Sequence, residues 1–247
     1  MISVIIQARM GSSRLPGKVM KKINGKPLLY YIISQVKAAK KVSKIIVATT
    51  QLKEDDQIES YVKSIDIDVF RGNDLDVLDR FYHCARKYDL EKIIRLSADS
   101  PFIDFNIIDE CISKFEEYEV DYLSNTIKKV NDIWKEDNNG FPLGMAVEVF
   151  TIRALEKAWL ESTKPSDREH VTEYIFHNHS FFKLHSIKNF EDLSDFRFVV
   201  DYPEDFELIS KIISGYPINE LFTLKNLKDF LDKHSELKMI NMVRKRK

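Results

Sequence analysis

Cysteine is scarce in this sequence of 247 residues. The two cysteines, Cys84 and Cys111, lie at apolar positions of helical patterns, and there is neither a CxxC pair nor a zinc-site spacing. This pattern is typical of buried, reduced thiols and excludes a disulfide framework. We therefore expect a cytoplasmic protein.

Long apolar runs are also missing. No stretch of about 18 apolar residues occurs, so no transmembrane helix is predicted. The N-terminal sequence MISVIIQARM lacks the basic start and the small-residue cleavage site of a signal peptide.

An excess of charge of one sign is likewise absent, because 38 Lys and Arg residues face 39 Asp and Glu residues. This balance argues against broad attraction to nucleic acid or to an anionic membrane. The basic residues 244–247 predict a solvated, frayed tail.

Short β-rich runs alternate with helical patterns along the whole chain. The predicted strands are 3–6, 44–48, 67–70, 92–96, 121–123, 145–150, 181–187 and 198–200. Strand–helix alternation with short links predicts an α/β fold with a three-layer, doubly wound, mostly parallel sheet. We expect a single domain over residues 1–247.

Residues 126–144 interrupt this alternation. The segment is polar, and its periodicity is lost around an Asp-Asn-Asn-Gly run, which indicates an insertion or flap. Trp134 and Phe141 in it would cover a site, meet a partner subunit or anchor the loop.

The first predicted strand runs into a loop suited to phosphate, in the sequence IIQARMGSSRLPGKVM at residues 5–20. The spacing of its glycines excludes a GxxxxGK P-loop, and no GxGxxG dinucleotide motif follows the strand. Gly11 allows close backbone approach, and hydroxyls and cations surround it. These are Ser12, Ser13, Arg9, Arg14 and Lys18. A solvated basic turn is the alternative, but the position after the first strand favours phosphate binding.

Polar residues also follow four other predicted strands. They are Thr49-Thr50, Arg71-Gly72, the run from Ser97 to Pro101, and Asp201-Tyr202. Ligands of open α/β sheets bind at the carboxyl ends of the strands, so these positions predict one cleft.

Asp99 and Asp201 each follow an apolar strand and precede a proline by two residues. If the two carboxylates meet across the cleft beside a triphosphate, they would hold Mg²⁺, which prefers oxygen ligands. The alternative is that Asp201 only caps the helix that begins near Pro203.

In these residues the sequence resembles the cytidylyltransferases related to spore-coat polysaccharide synthesis proteins, and through them the enzymes that activate KDO and N-acylneuraminate. The resemblance covers nearly the whole chain. The matching stretches are IIQARMGSSRLPGKVM, GKPLL, IIVATT, VFRGNDLDVLDRF, RLSADSPFID, GMAVEVF, REHVT and VDYPEDFELI.

The resemblance implies a nucleotide-diphospho-sugar-transferase-like fold, CTP as donor, Mg²⁺ as cofactor and a homodimer. It implies that Arg9, Ser13, Arg14 and Lys18 handle the triphosphate. It also implies that Ala8 and Thr49 lie near the nucleoside, Arg71 near the cytosine, and Asp99 and Asp201 at the metal. Ser97, two residues before Asp99, is a further predicted nucleotide-binding residue. The acidic-sugar enzymes tend to have Gln-Gly-Asp where this chain has Ser97-Ala98-Asp99, so the acceptor stays open.

For the acceptor, the candidates are Glu148, Arg168 and His170. Arg168 could clamp a carboxylate or phosphate, and His170 could take the proton of the attacking hydroxyl. The run from Ser166 to Glu169 also fits a capping box, and a histidine on a helix face is often only packed. His177 and His179 cannot share a helix face, so we expect no histidine-pair metal site.

The predicted reaction is transfer of CMP from CTP to a sugar-like acceptor with release of pyrophosphate, for surface glycan synthesis. Three alternatives remain at this point: a sugar-phosphate nucleotidylyltransferase, a non-catalytic nucleotide-binding protein, and a nucleotide-sugar-dependent glycosyltransferase. The last would use a DxD motif, for which Asp66-Ile67-Asp68 and Asp74-Leu75-Asp76 are the candidates.

Overall fold

The computed structural model describes residues 1–217 and 221–244. Its strands are β1 (Ile2–Gln7), β2 (Lys22–Ile23), β3 (Lys26–Pro27), β4 (Lys44–Thr50), β5 (Asp68–Gly72), β6 (Lys92–Ser97), β7 (Tyr122–Ser124), β8 (Ile127–Val130), β9 (Ile133–Glu136), β10 (Glu148–Thr151) and β11 (Leu184–Ser186). Its α-helices are α1 (Leu28–Ala38), α2 (Asp56–Ser64), α3 (Val77–Lys87), α4 (Phe105–Tyr118), α5 (Ile152–Glu161), α6 (Pro165–His170), α7 (Glu173–His177), α8 (Pro203–Gly215) and α9 (Leu224–Lys233).

Seven of the strands form one sheet in the order β11-β7-β10-β6-β1-β4-β5. Neighbouring strands are parallel except at β10, which runs antiparallel to both β6 and β7. The chain passes from β1 to β4 on one side and later to β6 on the other. The direction of winding therefore reverses at β1, and the predicted doubly wound, mostly parallel sheet is confirmed.

Helices cover both faces of this sheet because successive strand residues point to opposite sides. Val4 and Ile6 of β1 are buried in one core with α1, α2, α4, α8 and α9. Ile5 is buried in a second core with α3, α5 and α7. This gives the three layers expected from the sequence.

One local prediction was wrong. Residues 198–200 form no strand. The N–H groups of Phe198 and Val200 donate to the carbonyls of Leu143 and Asp99, and an isolated bridge joins Leu143 to Arg197. Residues 126–144 contain a β-hairpin of β8 and β9, whose turn residues Asn131 and Asp132 both have positive φ. Two such residues are typical of the tight turn that joins antiparallel strands.

The aromatic residues of this segment anchor it to the body of the protein. Phe141 is buried in the first core, and Trp134 packs against the second. No helix among residues 1–217 and 221–244 is long and apolar enough to cross a membrane. Of the predicted basic tail, residues 245–247 lie outside the described residues, while Arg244 forms an ion pair with Glu204.

Candidate active site

A cleft of about 230 Å³ opens at the carboxyl ends of β1 and β6. Eleven of the predicted site residues line it. They are Ala8, Arg9, Gly11, Ser12, Ser13, Arg14, Lys18, Ser97, Asp99, His170 and Asp201. The loops after β1 and β6 therefore converge on one cleft, as the sequence indicated.

The loop after β1 is held in a closed shape by its own backbone. The N–H groups of Ser12 and Gly17 both donate to the carbonyl of Met10, at 2.8 and 2.9 Å. Gly17 has a φ of 68°, which a residue with a side chain rarely adopts, and the next residue starts a short 3₁₀ helix. This turn directs Lys18 back into the cleft.

Lys18 joins the two predicted metal ligands. Its Nζ donates to Asp99 Oδ2 at 2.6 Å, to Asp201 Oδ1 at 3.0 Å and to the carbonyl of Val200 at 2.7 Å. Lys18 is buried, with 8% of its surface exposed. The two carboxylates thus meet across the cleft around one ammonium group, which uses all three of its donors.

Asp201 lies at the centre of a wider charge network. Arg14 Nη2 donates to its Oδ1 at 2.8 Å, and Arg197 Nη2 donates to its Oδ2 at 2.9 Å. Burial alone would raise the pKa of Asp201, but Lys18, Arg14 and Arg197 outweigh it and hold the pKa below its ordinary value. The alternative that Asp201 caps α8 is wrong, because Tyr202 is the N-cap residue.

The surroundings of the Lys18 ammonium also suit a divalent cation. Three oxygen atoms, from Asp99, Asp201 and the Val200 carbonyl, already enclose one positive charge at 2.6–3.0 Å. A donor set made only of carboxylate and carbonyl oxygens is the kind that Mg²⁺ prefers. The two aspartates therefore fit the predicted metal.

Sequence reasoning missed Arg80, which lies on α3 in the wall of the cleft. Only 2% of its surface is exposed, and no carboxylate of the described chain lies within ion-pair distance. Its Nη1 donates to the carbonyl of Asn73, and its Nε has no hydrogen-bond partner among the described residues. Burial, together with the nearby Arg9, lowers the pKa of Arg80 to about 10.

A second missed cation, Arg95, connects the cleft to Glu148. Arg95 Nη1 donates to Glu148 Oε2 at 2.6 Å, and the other carboxylate oxygen accepts from the hydroxyls of Tyr122 and Thr172. Glu148 is buried and does not line the cleft. In this structure it holds Arg95 in place, and its predicted contact with the acceptor stays a prediction.

Two further predicted residues lie away from the cleft lining. Arg71 donates to Asp56, Glu59 and two backbone carbonyls beside α2. Arg168 donates to Asp76 Oδ2, through Nε at 2.7 Å, and to the Trp159 carbonyl. Their predicted ligand roles stay predictions.

Thr49 is fully buried at the end of β4, and its Oγ1 has no hydrogen-bond partner within the described part of the chain. It too lies outside the cleft lining. Its predicted place near the nucleoside stays a prediction.

The end of α6 forms the opposite wall of the cleft through Glu169 and His170. The predicted capping box over residues 166–169 was wrong: α6 begins earlier, after Lys164, with Pro165 in its first turn. Glu169 therefore lies near the end of α6, in the cleft wall, and not at the start of the helix.

Neither candidate DxD motif lies in the cleft. Asp66 lies just before β5, and Asp68 is its first residue. Asp68 forms an ion pair with Lys44 at the start of β4, at the amino ends of the strands and away from the cleft. Asp76 caps α3 by accepting from the N–H of Asp79. These positions argue against the glycosyltransferase alternative.

The chain is similar to known proteins over nearly its whole length. It is 36% identical over 239 residues to an uncharacterized protein of Methanocaldococcus jannaschii, covering 96% of this chain and 93% of that one. It is 29% identical to the spore coat polysaccharide biosynthesis protein SpsF of Bacillus subtilis, over 91% of this chain and 94% of that one.

Among solved structures, a cytidylyltransferase from Leptospira borgpetersenii serovar Hardjo-bovis superposes with a TM-score of 0.86 and 30% identity. The match covers 96% of this chain and 95% of that one. It confirms the nucleotide-diphospho-sugar-transferase-like fold. The cytidylyltransferase family model matches residues 3–233, and this chain therefore belongs to the cytidylyltransferase family.

Proposed function

We propose that this chain transfers CMP from CTP to a hydroxyl group of an acidic sugar and releases pyrophosphate. The observation that carries the proposal is the pair Arg9 and Arg80. Both face the cleft, neither has a carboxylate partner within the described residues, and each raises the positive potential at the other. Two like charges that line one cleft repel each other, and an anion bound between them would offset that repulsion.

The composition of the cleft supports a triphosphate as that anion. The loop after β1 contributes three cations to the cleft, Arg9, Arg14 and Lys18, and Ser12 and Ser13 of the same loop add hydroxyl groups. A CTP molecule carries about four negative charges, which cations and fixed dipoles in a shaped cleft can neutralise. Family membership supports cytidine as the nucleoside.

In the proposed reaction the acceptor oxygen attacks the α-phosphorus of CTP. A new oxygen–phosphorus bond forms, the bond to the β-phosphate breaks, and pyrophosphate leaves with the electron pair. The proton of the acceptor hydroxyl passes to a base, for which His170 in the cleft wall is the candidate. Arg9, Arg14, Lys18 and Arg80 would stabilise the charge that develops on the phosphate oxygens.

Asp99 and Asp201 would hold Mg²⁺. The metal would supply a further positive charge at the phosphate oxygens. Lys18 keeps the two carboxylates together, so that they are already in position when a nucleotide arrives.

An acidic sugar is the proposed acceptor because the resemblance extends to enzymes that activate such sugars and because the chain has a relative named for polysaccharide biosynthesis. The homodimer and the cytoplasmic location implied by the sequence belong to the same proposal. Light scattering on the purified protein would test the dimer.

A pyrophosphate-release screen tests the proposal. The purified chain is incubated with Mg²⁺, one of four nucleoside triphosphates, and a panel of acidic sugars and sugar phosphates. We expect release with CTP and at least one acidic sugar. Release with sugar phosphates only would favour a sugar-phosphate nucleotidylyltransferase, and CTP binding without release would indicate a non-catalytic nucleotide-binding protein.

A further inference from the structure

Three potential metal ligands meet on α6 and α7, outside the lining of the cleft. Asp167 of α6 and Glu173 and His177 of α7 each offer one ligand atom, and these atoms lie within 4.8 Å of one another. Glu173 and His177 are four residues apart on one helix, so their side chains share a face. Asp167 reaches the same point from the preceding helix.

Asp167 is the member that points to a bound cation. Only 5% of its surface is exposed, and its carboxylate makes no hydrogen bond or ion pair with any residue in the described part of the chain. The neighbouring cation, Arg168, is turned towards Asp76 and the Trp159 carbonyl. The Asp167 carboxylate is thus largely enclosed and free of protein partners among the described residues, so that it is available to a metal ion bound among the three ligands.

The turn between the two helices is strained. Val171 has φ 64° and ψ −52°, and the N–H of Thr172 donates to the carbonyl of His170 at 2.6 Å, which closes a γ-turn. A β-branched residue rarely adopts such a conformation, so the surrounding structure must hold it. This turn carries His170 into the cleft wall and Thr172 towards Glu148.

We propose that Asp167, Glu173 and His177 bind one Zn²⁺-class transition-metal ion, which ties α6 to α7. One imidazole nitrogen and two carboxylate oxygens suit such an ion, whereas Mg²⁺ favours oxygen ligands alone. Three protein ligands leave one position for water or for His170, whose Nε2 is 3.9 Å from Glu173 Oε1. Sequence motifs for metal sites look for pairs of cysteines or histidines at fixed spacing. They do not detect this site, which combines one histidine with two carboxylates from two helices.

Binding of Zn²⁺ alone to the metal-stripped, full-length chain tests the proposal. Equilibrium dialysis gives the stoichiometry and affinity, and thermal unfolding with and without Zn²⁺ gives the stabilisation. The test variants are His177→Ala and Asp167→Asn. His179→Ala is the matched control, because His179 is two residues away and not in the cluster. Asp99→Asn controls for Zn²⁺ bound by the cleft carboxylates.

We expect the wild type, His179→Ala and Asp99→Asn to bind one Zn²⁺ with micromolar or tighter affinity and to unfold at a higher temperature with Zn²⁺ present. In His177→Ala and Asp167→Asn the affinity should fall at least about tenfold, and the thermal shift should vanish. Two results would overturn the site: wild type without micromolar Zn²⁺ binding, or wild-type affinity in both test variants. Loss of binding in Asp99→Asn alone would also overturn it, by assigning the ion to the cleft.

Discussion

Lys18 Nζ lies 2.6 Å from Asp99 Oδ2, and this contact joins the loop after β1 to the loop after β6. The two residues are 81 positions apart in the sequence. Because β1 and β6 are parallel neighbours in the sheet, their carboxyl ends lie side by side, and the loops that follow them bring Lys18 and Asp99 together. The ion pair therefore places the cationic loop and the acidic loop at one point, where a metal-bound triphosphate would need both.

Removing the loop cations should reduce turnover. We expect Lys18→Ala and Arg14→Ala each to lower kcat/KM for CTP by about 100-fold or more. Lys18 holds together the two carboxylates that would bind the metal, and Arg14 offers a charge that the reacting phosphates would contact. Steady-state kinetics measure this effect, with circular dichroism to verify the fold.

Arg14→Ala is the cleaner of the two variants, since its side chain is 49% exposed and its loss should leave the core intact. Lys22→Ala, an exposed lysine of β2, is the matched control and should behave as wild type. Wild-type kcat/KM in both Lys18→Ala and Arg14→Ala would refute the phosphate-binding assignment of the loop.

Arg80 should strengthen CTP binding and should not raise the free energy of unfolding. We expect Arg80→Met to weaken CTP binding by about 10- to 100-fold, as for the loss of one charged hydrogen-bonding group. The free energy of unfolding should stay the same or rise, because an unpaired buried cation is removed. Calorimetry with CTP and chemical unfolding measure the two effects.

Arg86→Met is the matched control, because Arg86 lies on the same helix but is exposed. If Arg80→Met lost stability and kept wild-type affinity for CTP, Arg80 would be a structural residue and not an anion-binding one.

The response to Mg²⁺ should depend on Asp99. We expect Asp99→Asn to lose about 100-fold or more in activity, and its remaining activity should no longer change with Mg²⁺ concentration. Activity is measured over a Mg²⁺ titration. Asp89→Asn is the control, since Asp89 is exposed in a left-handed turn position that asparagine also tolerates. A normal Mg²⁺ response in Asp99→Asn would mean that the metal binds elsewhere.

Acid should remove the stabilisation that Asp201 provides. Its folded-state pKa is below the ordinary value of 3.8, so the ionised carboxylate stabilises the fold above about pH 4. The contribution is lost as the pH falls through the folded-state pKa. We expect the wild type to exceed Asp201→Asn by about 1 to 3 kcal/mol in free energy of unfolding near pH 6, and the difference to shrink towards zero near pH 2.

Urea unfolding of both proteins across this pH range measures the difference. A difference that stayed constant with pH would mean that the charge of Asp201 contributes nothing to stability.

The sequence predicted those parts of the fold and site that depend on local pattern. The apolar run of β1 and the cations after it were visible because they are contiguous in the chain. The meeting of Asp99 and Asp201 was predicted from strand ends, but only Asp99 follows a strand; Asp201 reaches it because the N–H of Val200 donates to the Asp99 carbonyl. Residues 198–200 look like a strand, but their backbone pairs with two separate loops, through Leu143 and Asp99, and with no neighbouring strand.

The missed residues have contacts that no local pattern reveals. Arg80 is surrounded in the sequence by Val77, Leu78 and Phe81, so its position resembles a packed helix face. Arg95 lies within a strand, and only the antiparallel register of β10 brings Glu148 opposite it. Arg71 lies near the end of β5, but β5 is the edge strand, and its guanidinium group forms ion pairs with the acidic residues Asp56 and Glu59 of α2.

Label transfer from CTP tests the central proposal most directly. CTP carrying a radioactive α-phosphate is incubated with Mg²⁺, the chain and the acidic sugar that gives the fastest pyrophosphate release. We expect the label to move into a CMP–sugar conjugate, with one pyrophosphate released for each conjugate formed. If the label stayed in free nucleotide, or if the sugar were modified without pyrophosphate release, the chain would not be acting as a cytidylyltransferase on that acceptor.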